Sequence, residues 1–284
     1  MNRFMTARGA LPLGEKVYLM GILNVTPDSF SDGGKYFDPA AALKKAEEMA
    51  AQGADMIDVG AVSTRPFSAP VSEQEEWARL SAVLPELLRV CPVPVSVDTT
   101  TVAVARRCLD LGAAIVNDVS GAFRPEMCDV IKEYRAGWVL MHGGAALAKT
   151  EAELEYPGGV VRHVQDFFDN VIRQAQESGL PTEQLCLDPG FGFAKNTEQN
   201  AELLRGLSAL DTHGAALMAA LSRKRFIGAL SGDDDPADRL GGTLAANVMA
   251  VCAGAHIIRA HETLLHRKAL DFAFNARMGN DEKR

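Results

Sequence analysis

Close cysteine pairs are missing from this chain. Its five cysteines, Cys91, Cys108, Cys128, Cys186 and Cys252, form an odd and scattered set with no C-x-x-C, and most sit in apolar runs. They read as reduced core residues of a cytoplasmic protein rather than as a disulfide framework. The opening MNRFMTARGALPLG has no apolar stretch long enough for a signal peptide, and no later run approaches a membrane span, so a soluble protein is expected. Positive charge is also scarce: 29 Lys and Arg face 37 Asp and Glu, a net charge of −8. That balance argues against a nucleic-acid or anionic-membrane binder, and an anionic substrate would need a locally basic site. Familiar catalytic motifs are absent too. There is no G-x-S-x-G, no H-E-x-x-H and no P-loop lysine, and the G-F-G-F after Asp188 lacks dinucleotide spacing. Histidines are few, and His142 and His163 have no partner that spacing can name, so both are expected to be structural.

What the chain does have is enough apolar material, 47% of 284 residues, to bury a large core. One stretch, Gly21 to Gly34 (GILNVTPDSFSDGG), stands apart: an apolar strand turns polar and turn-rich at Asn24. So long a polar loop in a compact domain is usually a binding loop or lid. Phe30 in its middle suits a lid over a flat ligand, although an ordinary surface loop with Phe30 tucked back remains open.

From there strands and helices alternate without a break. The strands expected are Val17–Leu23, Asp55–Val59, Val93–Val97, Ala114–Val116, Trp138–Met141, Leu185–Leu187, Ala215–Leu221 and His256–Ala260. Asp38 and Pro39 start the first helix and Gly53 stops it; Ser72 with Glu75 makes a capping box for a helix to about Leu88; Pro125 opens another ending near Tyr134. Apolar strands between amphipathic helices indicate a parallel sheet covered by helices, and eight such units close into a (β/α)8 TIM barrel. Each strand's C-terminal end carries a polar residue: Asn24, Asp58, Asp98, Asn117, His142, Asp188, Lys224 and His261. In a barrel these form a ring at the active-site face; an open doubly wound sheet, the structural rival, would gather only some of them. No linker divides the chain, so residues 1–284 are expected to be one domain, with 1–16 an extension packing on the barrel and 278–284 a disordered tail.

Two constellations carry chemistry. Buried acids such as Asp98 and Asp188 beside Asn117 call for a donor-rich partner, and a pterin, with its 2-amino group next to a ring N–H, supplies a donor pair that a carboxylate accepts. From spacing alone, metal binding or helix capping remains equally open for these residues. Arg223, Lys224, Arg259 and His261, with the helix start near Thr263, concentrate positive charge after the last two strands, where barrels often hold phosphate. Ring recognition beside an anion site points to transfer with a phosphate-type leaving group.

These residues lie in segments that resemble dihydropteroate synthase, a pterin-binding barrel family of folate synthesis. They are GILNVTPDSFSDGG, IDVG with STRP (Ile57–Pro66), VSVDT (Val95–Thr99), IVNDV (Ile115–Val119), VLMH (Val139–His142), LDPGFGF (Leu187–Phe193), SRKRFIG (Ser222–Gly228), RLGGTLAA (Arg239–Ala246) and IIRAH (Ile257–His261). The resemblance implies condensation of 6-hydroxymethyl-7,8-dihydropterin diphosphate with p-aminobenzoate, by an SN1-like path with pyrophosphate leaving. It assigns the pterin to Asp98, Asn117, Asp188 and Lys224, with Asp58 close by. It assigns the diphosphate to Asn24, Arg65, Arg259 and His261, with Mg2+ on Asn24. Phe30, Thr64, Pro66, Ser222 and Arg225 would meet p-aminobenzoate. Asp32 would face the reacting carbon, and Lys224, Arg259 and His261 would complete the catalytic group. A homodimer with small-molecule substrates, and neither nucleic acid nor membrane as partner, is implied.

The chain departs from the family pattern at Arg225, where Ser is usual, at Phe67 in place of Gly, and at Glu262 in place of Asp. Arg225 either forks onto the p-aminobenzoate carboxylate or swings outward and leaves it to helix amides, which puts sulfonamide sensitivity in question. A folate-dependent corrinoid methyltransferase and a non-catalytic pterin-binding paralogue are the rival readings. Neither accounts for the SFSDGG lid together with the SRK and RAH cations.

Overall fold

The computed structural model describes residues 2–26, 38–62, 71–143 and 155–278. Phe30, Asp32, Ser63, Thr64, Arg65, Pro66 and Phe67, and the terminal residues 279–284, lie outside them.

The chain begins with an antiparallel hairpin, β1 (Arg3–Thr6) and β2 (Gly9–Pro12), and then enters the barrel at β3 (Tyr18–Asn24). There follow α1 (Pro39–Ala51), β4 (Met56–Gly60), α2 (Glu73–Ser81), α3 (Leu84–Val90), β5 (Val95–Asp98), α4 (Val102–Asp110), β6 (Ile115–Asp118), α5 (Pro125–Tyr134) and β7 (Gly137–Met141). The second half holds α6 (Val160–Glu177), β8 (Leu185–Asp188), α7 (Thr197–Arg205), β9 (Ala216–Ala219), α8 (Arg225–Ser231), α9 (Leu240–Cys252), β10 (Ile257–Ala260) and α10 (Thr263–Met278). Strands β3 to β10 pair in parallel with their sequence neighbours, and β10 closes on β3, giving the eight-stranded barrel. An open sheet is thereby ruled out.

Local chemistry sets the helix starts. The Asp38 side chain accepts from Ala40 N at 2.9 Å with Pro39 behind it, and Ser72 Oγ accepts from Glu75 N at 3.2 Å. The single helix expected from Ser72 to Leu88 is two, α2 and α3. The break falls at Ala82–Val83 and Pro85 sits in the first turn of α3, since a proline cannot donate to the preceding turn and is tolerated only there. The stretch after Lys224 also contains the short helix α8, seven residues with Gly228 at its middle, too short to show a helical period in the sequence.

Every barrel strand is buried along almost its whole length and is packed on both faces. The outward side chains meet the helices in one large cluster that includes Ile57, Val97, Trp138 and Leu187. The inward ones, Met20, Met56, Ile115, Val139, Cys186 and Ile257, form a second cluster with Phe4 and Leu13 from the N-terminal segment. Phe4 is fully buried against Gly137, where a Cβ would lie 2.6 Å from its ring. Ala7 N donates to Ala114 O at 3.2 Å and Tyr18 Oη to Pro12 O at 2.9 Å, so the hairpin is fastened across the barrel's N-terminal end.

Candidate active site

Side chains two apart on a strand share a face. Met56, Ile115, Cys186 and Ile257 belong to the apolar interior layer, so Asp58, Asn117, Asp188 and Arg259 lie one pleat higher, at the C-terminal mouth. Adjacent strands bring them together, with Asp98 of β5 in register with Asn117 of β6.

At the centre, Asp58 Oδ2 accepts from Asn117 Nδ2 at 2.9 Å and from Arg259 Nε at 2.7 Å, while Arg259 Nη2 donates to Asp98 Oδ2 at 3.0 Å. Asp58, Asp98 and Asn117 are buried, a placement that is tolerable because each is bonded or paired. Two acceptors nevertheless have no partner, Asp58 Oδ1 and Asn117 Oδ1. Folded proteins leave few buried polar atoms unbonded, so this pair is suited to donors from a ligand. Burial pushes the Asp98 carboxyl up to about 7, with Arg259 pulling against it and Asp58 adding to the rise.

Asp188 and Lys224 complete the mouth. Burial raises the Asp188 carboxyl above its ordinary range, opposed by the Gly190 amide, which donates to Oδ1 at 2.8 Å, and by Lys224. Burial likewise lowers the Lys224 ammonium to about 8, against the pull of Asp188. Its Nζ lies 4.0 Å from the centre of the Phe193 ring, within cation–π range. The charges of Lys224 and Arg259 both act on Asp98 and Asp188, so the six groups form one electrostatic unit.

The neighbouring rim is cationic. Ser222 Oγ and His261 Nδ1 are 2.9 Å apart, and the His261 amide donates to the same hydroxyl at 3.3 Å. Arg223 pairs with Glu262 and holds a left-handed backbone, φ 57°, secured by Thr243 Oγ1 on its amide and Arg239 Nη1 on its carbonyl. Such strain in a non-glycine residue persists only where surroundings enforce it. A cavity of about 530 Å³ opens on this side, lined by Asn24, Lys45, Gln52, Arg223, His261 and Thr263 among others.

Of the residues singled out in the sequence, the fold joins Asp58, Asp98, Asn117, Asp188, Lys224 and Arg259, and sets Asn24, Ser222 and His261 along one rim. Arg259, expected with His261 at the diphosphate, is paired with Asp58 and Asp98. Arg225 is exposed at the first position of α8. For a metal, no cluster of three or more His, Cys, Asp or Glu side chains suited to an ion occurs among the described residues. The exposed Asn24 offers an amide oxygen. An oxygen donor is of the type Mg2+ takes, although one amide oxygen alone makes no protein cage and the remaining ligands would come from phosphate and water.

Sequence reasoning missed a chain behind the mouth, in which Lys195 and His142 are buried and His163 is exposed. Lys195 Nζ lies 2.9 Å from His142 Nδ1, and His142 Nε2 lies 2.9 Å from His163 Nδ1. Burial, reinforced by the Lys195 charge, lowers His142 to about 2, so its ring is neutral; burial also lowers Lys195 to about 7. The three residues stand on separate elements, and no spacing rule connects them.

A plugged parallel barrel whose mouth joins orphaned acceptors to a lysine and an arginine defines a pterin-binding enzyme, and the family model described as "Pterin binding enzyme" matches residues 20–261. More narrowly, the chain belongs to the dihydropteroate synthase family. It is 41% identical over 250 residues to the dihydropteroate synthase of Synechocystis sp., covering 88% of this chain and 86% of that one. The Clostridium difficile dihydropteroate synthase in the presence of pteroic acid superposes with a TM-score of 0.85 at 38% identity, over 93% of this chain and 97% of that one. The Yersinia pestis enzyme in a sulfonamide drug complex gives 0.89 at 34% identity, over 98% and 100%.

Proposed function

We propose that this chain condenses 6-hydroxymethyl-7,8-dihydropterin diphosphate with p-aminobenzoate to give 7,8-dihydropteroate and pyrophosphate. The observation that carries the reading is the pair of unpartnered acceptors, Asp58 Oδ1 and Asn117 Oδ1, at a mouth where Arg259 pairs with Asp58 and Asp98 and where the Lys224 charge acts on Asp98 and Asp188. A pterin's amino and ring N–H groups match those acceptors, and a ring lacking them would leave buried atoms unbonded, a selective penalty. That pteroic acid, a pterin joined to p-aminobenzoate, accompanies the Clostridium difficile relative supports a site for both substrates.

In this reading Asp58, Asp98, Asn117 and Asp188 grip the pterin edge and Lys224 its oxygen-bearing side. Asn24, Arg65 and His261 receive the diphosphate, with Arg259 turning between the acids and the departing anion. Loss of pyrophosphate leaves a cationic methylene, which the surrounding carboxylates stabilise electrostatically, and the arylamine attacks it without a protein nucleophile. Holding both substrates in register contributes the remainder. Phe30, Thr64, Pro66, Ser222 and Arg225 are assigned to p-aminobenzoate and Asp32 to the reacting carbon. Magnesium, held by Asn24 and phosphate oxygens, would neutralise charge on the leaving group.

A cytoplasmic homodimer belongs to the same proposal. Its support is five unpaired cysteines, four of them buried, and the large apolar side chains Leu230, Met249 and Phe272 exposed on α8, α9 and α10. A monomer mass in sedimentation would count against the dimer. The deciding assay follows dihydropteroate and pyrophosphate from the two substrates with and without magnesium. Product in equal amounts, dependent on the metal, is expected. Methyl transfer from methyltetrahydrofolate to a corrinoid would replace this reading with the methyltransferase one, and pterin binding without turnover would leave only a binding protein.

A further inference from the structure

Two of the groups assigned to the pterin, Asp188 and Lys224, are set by the same irregular turn between β8 and α7. The Gly190 amide fixes the Asp188 carboxylate, as described above. On the Lys224 side, the aliphatic chain runs against Gly192, where a Cβ would lie 2.8 Å from Lys224 Cδ, and the Phe193 ring receives the ammonium. A displacement of this turn would therefore move both ligands together.

The turn has no strand or helix of its own to hold it. Gly190 is left-handed at φ 70°, and a Cβ there would run into the His142 carbonyl oxygen. The turn's polar backbone atoms are met by two side chains, Lys195 at the turn's own end and Asn200 in α7. Lys195 Nζ donates to Gly190 O at 3.0 Å and to Phe193 O at 3.2 Å, with His142 Nδ1 as its third contact. Asn200 Oδ1 accepts from Gly192 N at 2.7 Å, and its Nδ2 donates to Lys195 O at 3.0 Å. Lys195 and Asn200 are each 1% exposed.

A lysine hidden from solvent is costly, and an apolar side chain of similar length would fill the space at lower cost. What the apolar chain lacks is three donors diverging from one atom. Only those satisfy two carbonyls and an imidazole nitrogen at once. The arrangement also survives loss of a proton: a neutral amine keeps two hydrogens for the carbonyls and accepts from the other tautomer of His142. Asp188, Lys224, His142 and His163 are the titratable groups around it.

We propose that Lys195 is a positioning residue for the pterin: by pinning the Gly190 and Phe193 carbonyls it sets the separation between the Asp188 carboxylate and the Lys224 ammonium. This rests on the reaction proposed above, and the unaltered chain is therefore assayed first. Absence of dihydropteroate from that chain would defeat the reaction itself, and with it the role of Lys195. With turnover established, KM for pterin diphosphate and for p-aminobenzoate are measured separately in Lys195→Met and Lys195→Gln, alongside thermal midpoints. Met should raise KM for the pterin substrate about tenfold, equivalent to ~1.4 kcal/mol, with KM for p-aminobenzoate changed less than about twofold. Gln, which restores part of the donor set, should fall between Met and the parent. Unchanged constants, or equal rises in both, would overturn the proposal, because a general loss of structure does not discriminate between substrates. Should Met fail to fold, the same split in Gln decides.

Discussion

Asp98 sits where burial and pairing pull in opposite directions, and the outcome is a carboxyl that titrates near neutrality, up to about 7. An unfolded aspartate titrates near ~3.9. The protonated side chain therefore contributes stability that is complete below ~3.9 and lost as pH rises through about 7. Without pterin the protein should lose thermal stability between pH ~4 and ~7 through this group, and Asp98→Asn should flatten that dependence. Pterin donors require the ionised form, so binding near pH 7 should expel a proton. Calorimetry in buffers of differing ionisation enthalpy reads that proton directly. Asp98→Asn should abolish it and weaken pterin binding about ten- to a hundredfold, the equivalent of one hydrogen bond to a charged group, ~1.5–3 kcal/mol. Proton uptake in place of release would mean that Asp98 does not meet the ring.

At the scale of elements, the hairpin β1–β2 is separable from the chemistry although it completes the interior. Phe4 is fully buried in the apolar layer beneath the mouth, and Phe4→Ala should cost about 3–5 kcal/mol. KM for both substrates should stay near the parent value at temperatures where the variant is folded. A selective change in one KM would show that the lower layer shapes the upper one. Barrel strands were legible in the sequence because each is a short apolar stretch carrying a polar residue at or near its C-terminal end, set between helical patterns. The hairpin was not, since RFMT and GALP are too short and too mixed to show a period of two. The α2–α3 break was concealed because apolar residues keep helical spacing through Val83 and Leu84, and only the missing N–H of Pro85 divides them.

For the whole molecule, the ring of strand ends followed from counting units, because closure of eight parallel strands leaves side chains little choice of destination. What counting could not supply was pairing. Asn117 and Arg259 share one oxygen of Asp58 although 59 and 201 residues separate them from it. Arg259 consequently joined the acids, where chain position had grouped it with His261. Lys195, His142 and His163 escaped for the same reason, each unremarkable until three elements meet.

The closed base of the barrel makes the catalytic chamber a cul-de-sac, and a cul-de-sac imposes a queue. If the pterin occupies the innermost berth, it must come in before the amine, and the joined product must back out past the place its partner entered. Product-inhibition kinetics should reveal this enforced sequence of arrivals and departures, and random-order patterns would contradict it.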